Sequence, residues 1–340
     1  MKKLVLIASA LFFLHTACAQ MATASDINIA TKYAKTIKAS DLKKLLYVYA
    51  SDDFEGRMTG EPGQKKAVNF LKDHYIKYQV PSAFGGDDYF QSIPKSYLRD
   101  KYNDSENVLA FIKGSEKPNE VLVISAHLDH IGISKNGEIN NGADDDGSGT
   151  IAVLEIARAF QKAVHDGHRP KRSILFLHVT GEEIGLFGSR YYTDNPVFPL
   201  ENTVTDLNID MIGRVDPKHE GKPNYLYLIG SDRLSKELHD ISEAVNKKYT
   251  KLDFDYTYND KNDRNRFYYR SDHYNFAKNN IPVIFYFNGT HADYHRPSDT
   301  PDKINYAFYE TRTRLIFYTA WELANRKDRV KLDGTDVKTD

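Results

Sequence analysis

The chain has 340 residues, enough for one large α/β domain or two smaller ones, and its 41% hydrophobic and 27% charged residues exclude a disordered or collagen-like protein. The 46 basic residues nearly balance the 47 acidic ones, so no overall positive charge favours nucleic acid as a partner. Cys18 is the only cysteine, which excludes a disulfide framework and a cysteine-ligated zinc site, so any metal must be held by histidine, aspartate and glutamate.

The amino terminus has the pattern of a secretory signal peptide. Two lysines precede an apolar run over residues 4–14, which is too short to cross a bilayer as a helix because about 20 residues are needed. Cleavage is predicted after Ala19, so residues 1–19 would be removed. The protein is therefore expected to be exported to the periplasm or the extracellular space, without a membrane span.

A lipoprotein signal, in which Cys18 would carry a lipid anchor, is the alternative interpretation of this segment. Such signals usually have a bulky aliphatic residue three positions before the cysteine, and this chain has His15 there. That difference favours simple cleavage over lipidation.

The rest of the chain predicts alternating helices and strands. Apolar periodicity and helix-start residues predict helices over 26–50, 62–78, 149–164, 186–192, 234–249 and 303–324. Apolar runs predict strands over 107–112, 121–125, 173–179, 203–209, 225–229 and 282–287. Residues 81–105 are expected to be irregular because they are rich in Gly, Asp, Ser and Tyr.

This alternation predicts a three-layer α/β/α fold with a mostly parallel central sheet. Residues 20–330 are expected to form one domain, since the helical segment 20–100 lacks enough strands to fold alone. Residues 331–340 would form a charged tail.

Histidines and carboxylates follow four of the predicted strands. In an open α/β sheet the carboxyl ends of the strands meet at one edge, where functional groups gather. Each of these groups of residues taken alone also fits a turn, a helix-cap loop or a solvated surface pair. Their occurrence together at four strand ends favours one His/carboxylate metal site. The residues are His127 and Asp129, Glu182 and Glu183, Asp210, and His291, Asp293 and His295, with an aspartate-rich loop over 141–149 between the first two groups.

These motifs resemble, in order and spacing, those of the M28 zinc-peptidase family, which includes bacterial leucyl-type aminopeptidases. They are AHLDH (126–130), NGADDDGSG (141–149), GEEIGLFGS (181–189), NIDMIG (208–213) and YHRPSDTPDKI (294–304). Residues 46–71 also resemble the corresponding segment of secreted bacterial members. The resemblance implies a phosphorylase/hydrolase-like fold.

The resemblance also implies two zinc ions per chain, for which Co or Mn could substitute at a His/carboxylate site. His127 and Asp210 would bind one ion, Glu183 and His295 the other, and Asp145 would bridge both. The peptide bond after Asp145 is expected to be cis.

Two further residues are expected to serve the reaction. Asp129 is predicted to accept a hydrogen bond from the second ring nitrogen of His127 and so orient it. Glu182, whose side chain diverges from that of Glu183, is predicted as the general base, which would take a proton from a metal-bridging water and deliver it to the leaving amine.

Tyr294 and Asp272 correspond to family positions near the substrate. Tyr294 would hydrogen-bond the oxyanion of the tetrahedral intermediate. Asp272 lies in a Ser-Asp-His motif near the expected substrate pocket, but it fits a helix N-cap equally well.

The sequence therefore predicts a secreted dinuclear-zinc metallopeptidase that acts on a peptide substrate, most simply as an aminopeptidase. A glutaminyl cyclase-like aminoacyltransferase with one zinc is an alternative, although the resemblance would then imply Trp-His-Thr around the last ligand, where this chain has residues 294–296 (Tyr-His-Arg). A non-catalytic binding module on the same fold is a second alternative, but such relatives typically lose ligands. Residue preference, aminopeptidase against carboxypeptidase action, native metal and oligomeric state stay open.

Overall fold

A computed structural model describes residues 24–333. The predicted signal peptide lies outside this range, as do residues 334–340 of the predicted tail. The helices are α1 (Ala24–Ala34), α2 (Ala39–Tyr49), α3 (Pro62–Lys77), α4 (Gly149–His165), α5 (Phe187–Asp194), α6 (Lys236–Tyr249), α7 (His273–Ala277) and α8 (Tyr306–Asn325). The strands are β1 (Phe90–Ile93), β2 (Ser105–Ile112), β3 (Lys117–His127), β4 (Arg172–Val179), β5 (Thr203–Ile209), β6 (Tyr225–Ile229), β7 (Asp253–Asp255) and β8 (Val283–Phe287).

The eight strands form one sheet in the order β1-β2-β4-β3-β5-β8-β6-β7. The four central strands, β4, β3, β5 and β8, run parallel to one another. On either side of them β2 is antiparallel to β4 and β6 is antiparallel to β8. The predicted α/β fold with a mostly parallel central sheet is confirmed, and its antiparallel pairs lie towards the edges.

Strand β3 shows why the central strands are continuous apolar runs. Leu122 and Ile124 belong to the core on one face of the sheet, together with residues of α4 and α8. Val121 and Val123 belong to the core on the opposite face, together with residues of α5 and α7. A strand with helices on both faces needs apolar side chains at successive positions, so the polar groups concentrate at its end.

The predicted elements differ from the observed ones where local signals are weak. Residues 26–50 were expected to be one helical region, but the structure divides it into α1 and α2. The supposedly irregular segment 81–105 contains β1, whose four residues pair antiparallel with β2. The three-residue strand β7 was not predicted, and α7 was anticipated only by the N-cap interpretation of Asp272. Such short elements form because a neighbour pairs with them or packs on them, which local propensity does not record.

The amino-terminal helices share the core of the sheet. Ala30 of α1 and Leu42 and Leu46 of α2 are buried in the same apolar cluster as residues of α4 and α8. None of the helices within residues 24–333 is long and apolar enough to cross a membrane.

Candidate metal centre

The four parallel central strands bring the predicted site residues to one edge of the sheet. His127 is the last residue of β3, and Asp210 directly follows β5. Glu182 and Glu183 follow β4, whereas His295 lies in the loop between β8 and α8. The aspartate-rich loop before α4 adds Asp145 to the same place, because its carboxylate lies 3.2 Å from the His127 ring.

The first potential ligand group consists of His127, Asp145 and Asp210. His127 Nε2 lies 3.2 Å from Asp145 Oδ1 and 3.7 Å from Asp210 Oδ1. All three side chains are buried. One imidazole nitrogen and two carboxylate oxygens at these separations form a donor set suited to a divalent transition metal.

A second group lies on the other side of Asp145. His295 Nε2 lies 3.0 Å from Asp145 Oδ2 and 3.1 Å from Glu183 Oε2. His130, which was not among the predicted ligands, also lies here, and its Nδ1 is 2.8 Å from Glu183 Oε1. Its position directly after Asp129 in the first motif was the only available signal. The two carboxylate oxygens of Asp145 therefore face two separate His/carboxylate groups.

Backbone geometry holds Asp145 in this shared position. The peptide bond between Asp145 and Asp146 is cis, as the family resemblance implied. The N–H groups of Asp144 and Asp145 both donate to Asp299 Oδ2, at 2.9 and 3.1 Å. Asp146 in turn accepts from the N–H groups of His127 and Met211, at 3.2 and 3.0 Å, which ties the loop to the ends of β3 and β5.

The carboxylates of this cluster favour the positively charged form of the neighbouring histidines. Burial lowers the pKa of His295, but the adjacent carboxylates of Asp145 and Glu183 raise it to about 10. The pKa of His127 is also raised despite its burial, by the charge of Glu182 and by contacts with Asp145 and Asp210. The groups paired with Asp145 and Glu183 are histidines, which can serve as metal ligands, rather than lysine or arginine. The residues present therefore fit two divalent cations.

Asp129 accepts from His127 through its main chain and not through its carboxylate. His127 Nδ1 lies 3.1 Å from the main-chain oxygen of Asp129, whereas the carboxylate oxygen is 3.8 Å away. The carboxylate instead accepts from Thr59 Oγ1 at 2.7 Å and from the N–H of Glu182 at 3.2 Å. Asp129 therefore orients His127 through its backbone and anchors the Glu182 loop through its side chain.

Glu182 and Tyr294 line a small open pocket together with His127, Asp145 and Asp210. Burial and the like charges of nearby carboxylates raise the pKa of Glu182. Unlike Glu183, Glu182 belongs to neither potential ligand group. The Tyr294 ring stacks on His295 with 3.9 Å between ring centres. The Glu182 carboxylate and the Tyr294 phenol therefore line the pocket without belonging to a potential ligand group.

Asp272 does not line this pocket. It is fully buried and accepts a hydrogen bond from Ser189 Oγ at 2.5 Å, and its side chain does not cap α7. Burial raises its pKa to about 7. Its contact with substrate stays a prediction.

The neighbouring Ser271 orients a potential ligand. Its hydroxyl donates to Asp210 Oδ2 at 2.7 Å and accepts from the side-chain amide of Asn208 at 2.9 Å. Asp210 Oδ1 is left facing His127. Hydrogen bonds of this kind restrict the rotation of a ligating carboxylate.

Replacing Ser271 with alanine is expected to weaken metal binding about 10- to 100-fold at the group containing Asp210. The loss follows because Asp210 would no longer be held in one orientation. Competition with a chromogenic chelator measures the zinc affinity of the variant and of the unmodified protein. Ser298→Ala is the control, since Ser298 donates to Asp293, which belongs to neither ligand group. Equal zinc affinities for Ser271→Ala and the unmodified protein would contradict the role.

The profile of peptidase family M28 matches residues 107–320, which include every potential metal ligand described above. The chain belongs to peptidase family M28.

Two curated relatives of this M28 protein carry peptidase names. A segment of 117 residues is 40% identical to a probable zinc metalloprotease of Pyrenophora teres, covering 32% of this chain and 22% of that protein. A probable leucine aminopeptidase 2 of Aspergillus oryzae is 26% identical over 254 residues, covering 64% of this chain and 45% of that protein. The chain thus spans less than half the length of these relatives.

Solved structures show the same fold. The LapA aminopeptidase of Legionella pneumophila superimposes with a TM-score of 0.69 at 20% identity, over 89% of this chain and 76% of that one. A glutaminyl cyclase of Bacteroides thetaiotaomicron superimposes with a TM-score of 0.64 at 16% identity, over 84% of this chain and 98% of that one. The fold is therefore common to peptidase and cyclase, and only the site can distinguish them.

Proposed function

We propose that this M28 protein is a dinuclear-zinc aminopeptidase that is exported after cleavage near Ala19. The observation that supports it best is the position of Asp145, whose two carboxylate oxygens face two different histidine/carboxylate groups. A carboxylate shared in this way could serve both of two neighbouring cations. His127 and Asp210 would hold one zinc ion, and His295 and Glu183 the other.

When bound, the zinc ions would lower the pKa of a coordinated water and polarise the scissile carbonyl. Glu182, on the pocket wall and outside both ligand groups, would accept a proton from the attacking water and pass it to the leaving amine. The Tyr294 hydroxyl would donate to the oxyanion that develops on the carbonyl oxygen. Asp129 would hold the loop of Glu182 in place through the 3.2 Å contact to its N–H.

The residues beside the pocket support aminopeptidase action. Phe267 and Phe287 are among its lining residues, and an apolar side chain of the N-terminal residue could pack towards their rings. The carboxylates at the end of the same pocket would attract the free α-amine. An N-blocked peptide lacks this positive charge and should be a poor substrate.

Metal removal provides the first test. Dialysis against a chelator is expected to lower hydrolysis of leucyl-aminomethylcoumarin more than about a hundredfold, since zinc would stabilise several kcal/mol of transition-state charge. Two equivalents of zinc should restore the rate, as measured by a titration with metal content determined in parallel. N-acetyl-leucyl-aminomethylcoumarin is the matched control and should be cleaved slowly at all metal contents.

The same titration tests the cyclase alternative. Full activity at one equivalent of zinc, together with cyclisation of an N-terminal glutamine, would favour the aminoacyltransferase. An inert protein that binds no zinc would favour a non-catalytic module. Turnover that survives complete metal removal would contradict the proposal.

A further inference from the structure

Arg270 lies on the wall of the pocket that exposes Glu182, yet the mechanism above does not use it. The residue is exposed, and its guanidinium lies 4.9 Å from the ring centre of Phe267. Phe267 is itself buried and packs on Phe287 with 5.0 Å between ring centres. The guanidinium is thus held on an aromatic wall, which restricts its position through a cation–π contact.

No ion pair engages Arg270 within residues 24–333, and its guanidinium lies over the Phe267 ring. Other arginines of the chain do have carboxylate partners, such as Arg214 with Asp293 at 2.8 Å. A guanidinium presents a planar set of donors that matches a carboxylate with two parallel hydrogen bonds. The other charged groups of the pocket, His127 and three carboxylates, lie in or beside the potential metal groups.

We propose that Arg270 binds a carboxylate of the substrate and thereby determines specificity. This inference rests on the proposed peptidase function, because it requires a peptide in the pocket. The carboxylate has two chemical sources: the side chain of an acidic residue, or the carboxyl terminus of a dipeptide. Both would place a negative charge against the exposed guanidinium while the α-amine remains near the metal groups.

Four substrates separate these sources. Leucyl-aminomethylcoumarin and leucyl-leucinamide carry no carboxylate, glutamyl-aminomethylcoumarin carries one on its side chain, and leucyl-leucine carries one at its terminus. The zinc-loaded full chain is compared with Arg270→Gln, which removes the charge, and Arg270→Lys, which keeps it without the planar donor set. Arg266→Gln is the matched control because Arg266 is also exposed and stacked on an aromatic ring, Tyr269, but does not line the pocket.

Arg270→Gln is expected to lower kcat/KM at least about tenfold more on one of the carboxylate substrates than on its neutral counterpart, mainly through a higher KM. Arg270→Lys should show a smaller selective loss in kcat/KM than Arg270→Gln. Arg266→Gln should lose no more kcat/KM on the carboxylate substrates than on the neutral ones. A loss in leucyl-leucine alone identifies the terminal carboxylate, and a loss in the glutamyl substrate alone identifies the acidic side chain.

The inference is overturned if Arg270→Gln changes kcat/KM by the same factor for all four substrates, or leaves it unchanged for all of them. In either case, activity of the unmodified chain on leucyl-aminomethylcoumarin leaves the proposed aminopeptidase function standing. If the unmodified zinc-loaded chain cleaves none of the four substrates, the proposed function fails first and this inference fails with it.

Discussion

Glu182→Gln is expected to lower kcat about 10²- to 10⁴-fold while the zinc content stays equal to that of the unmodified protein. Glutamine has nearly the same shape as glutamate, but its amide cannot accept the proton of the attacking water. Glu182 lines the pocket and belongs to neither potential ligand group, so its loss should leave metal binding intact. Steady-state kinetics together with zinc content by atomic absorption measure both properties on one sample.

The adjacent glutamate is the matched control. Glu183 contacts His130 and His295 at 2.8 and 3.1 Å, so Glu183→Gln should lower zinc content as well as rate. Undiminished turnover in Glu182→Gln would exclude the general-base role. A parallel loss of zinc in Glu182→Gln would instead identify Glu182 as a ligand.

Arg57→Met is expected to lower the free energy of unfolding by about 4 kcal/mol or more. The guanidinium of Arg57 is fully buried and donates to four main-chain oxygens. They belong to Leu128 and Tyr49, both at 3.2 Å, and to Asn141 and Gly142, at 2.7 and 2.8 Å. Methionine would remove all four of these hydrogen bonds, and a hydrogen bond to a charged group contributes about 1.5–3 kcal/mol. The oxygens of Leu128 and Gly142 would keep a second donor, the Tyr49 hydroxyl at 2.8 Å and the Gly147 N–H at 3.1 Å.

These contacts join the loop after β3 to the loop that carries Asp145, so the same variant should also weaken zinc binding. Denaturant unfolding of the metal-free chain measures stability, and chelator competition measures zinc affinity. Arg57→Lys should recover part of the loss, because an ammonium group has three donors. Arg264→Met, at an exposed position, is the control and should change stability by less than about 0.5 kcal/mol. A loss below about 1 kcal/mol in Arg57→Met would contradict the argument.

Much of the site could be predicted because it depends on strand ends. His127 and Asp210 stand at or directly after the apolar runs of β3 and β5, and the parallel arrangement brings those ends together. Asp145 and His295 lie in loops, and there the family motifs supplied what local patterns could not. In the structure His127 Nε2 lies 3.2 Å from Asp145 and 3.7 Å from Asp210, and His295 Nε2 lies 3.0 Å from Asp145.

Other features depend on contacts between distant segments. Nothing in the motif around Asp129 indicates that its carboxylate accepts a hydrogen bond from Thr59, seventy residues earlier. His130 similarly reaches Glu183 only because the loops after β3 and β4 meet. The same holds for Arg57, whose charge in a short loop predicts exposure but whose partners bury it completely.

The sequence by itself determined the α/β class, the residue types available as potential metal ligands and the order in which they reach one edge of the sheet. These properties follow from local apolar runs, from motif order and from the lack of cysteine after Cys18. Only the tertiary structure decided which oxygen of Asp145 faces which histidine, which group holds Asp129, and that Arg270 stands in the pocket. The physical reason is that hydrogen bonds and ion pairs act over about 3–4 Å, so they depend on side-chain directions that only packing between distant segments defines.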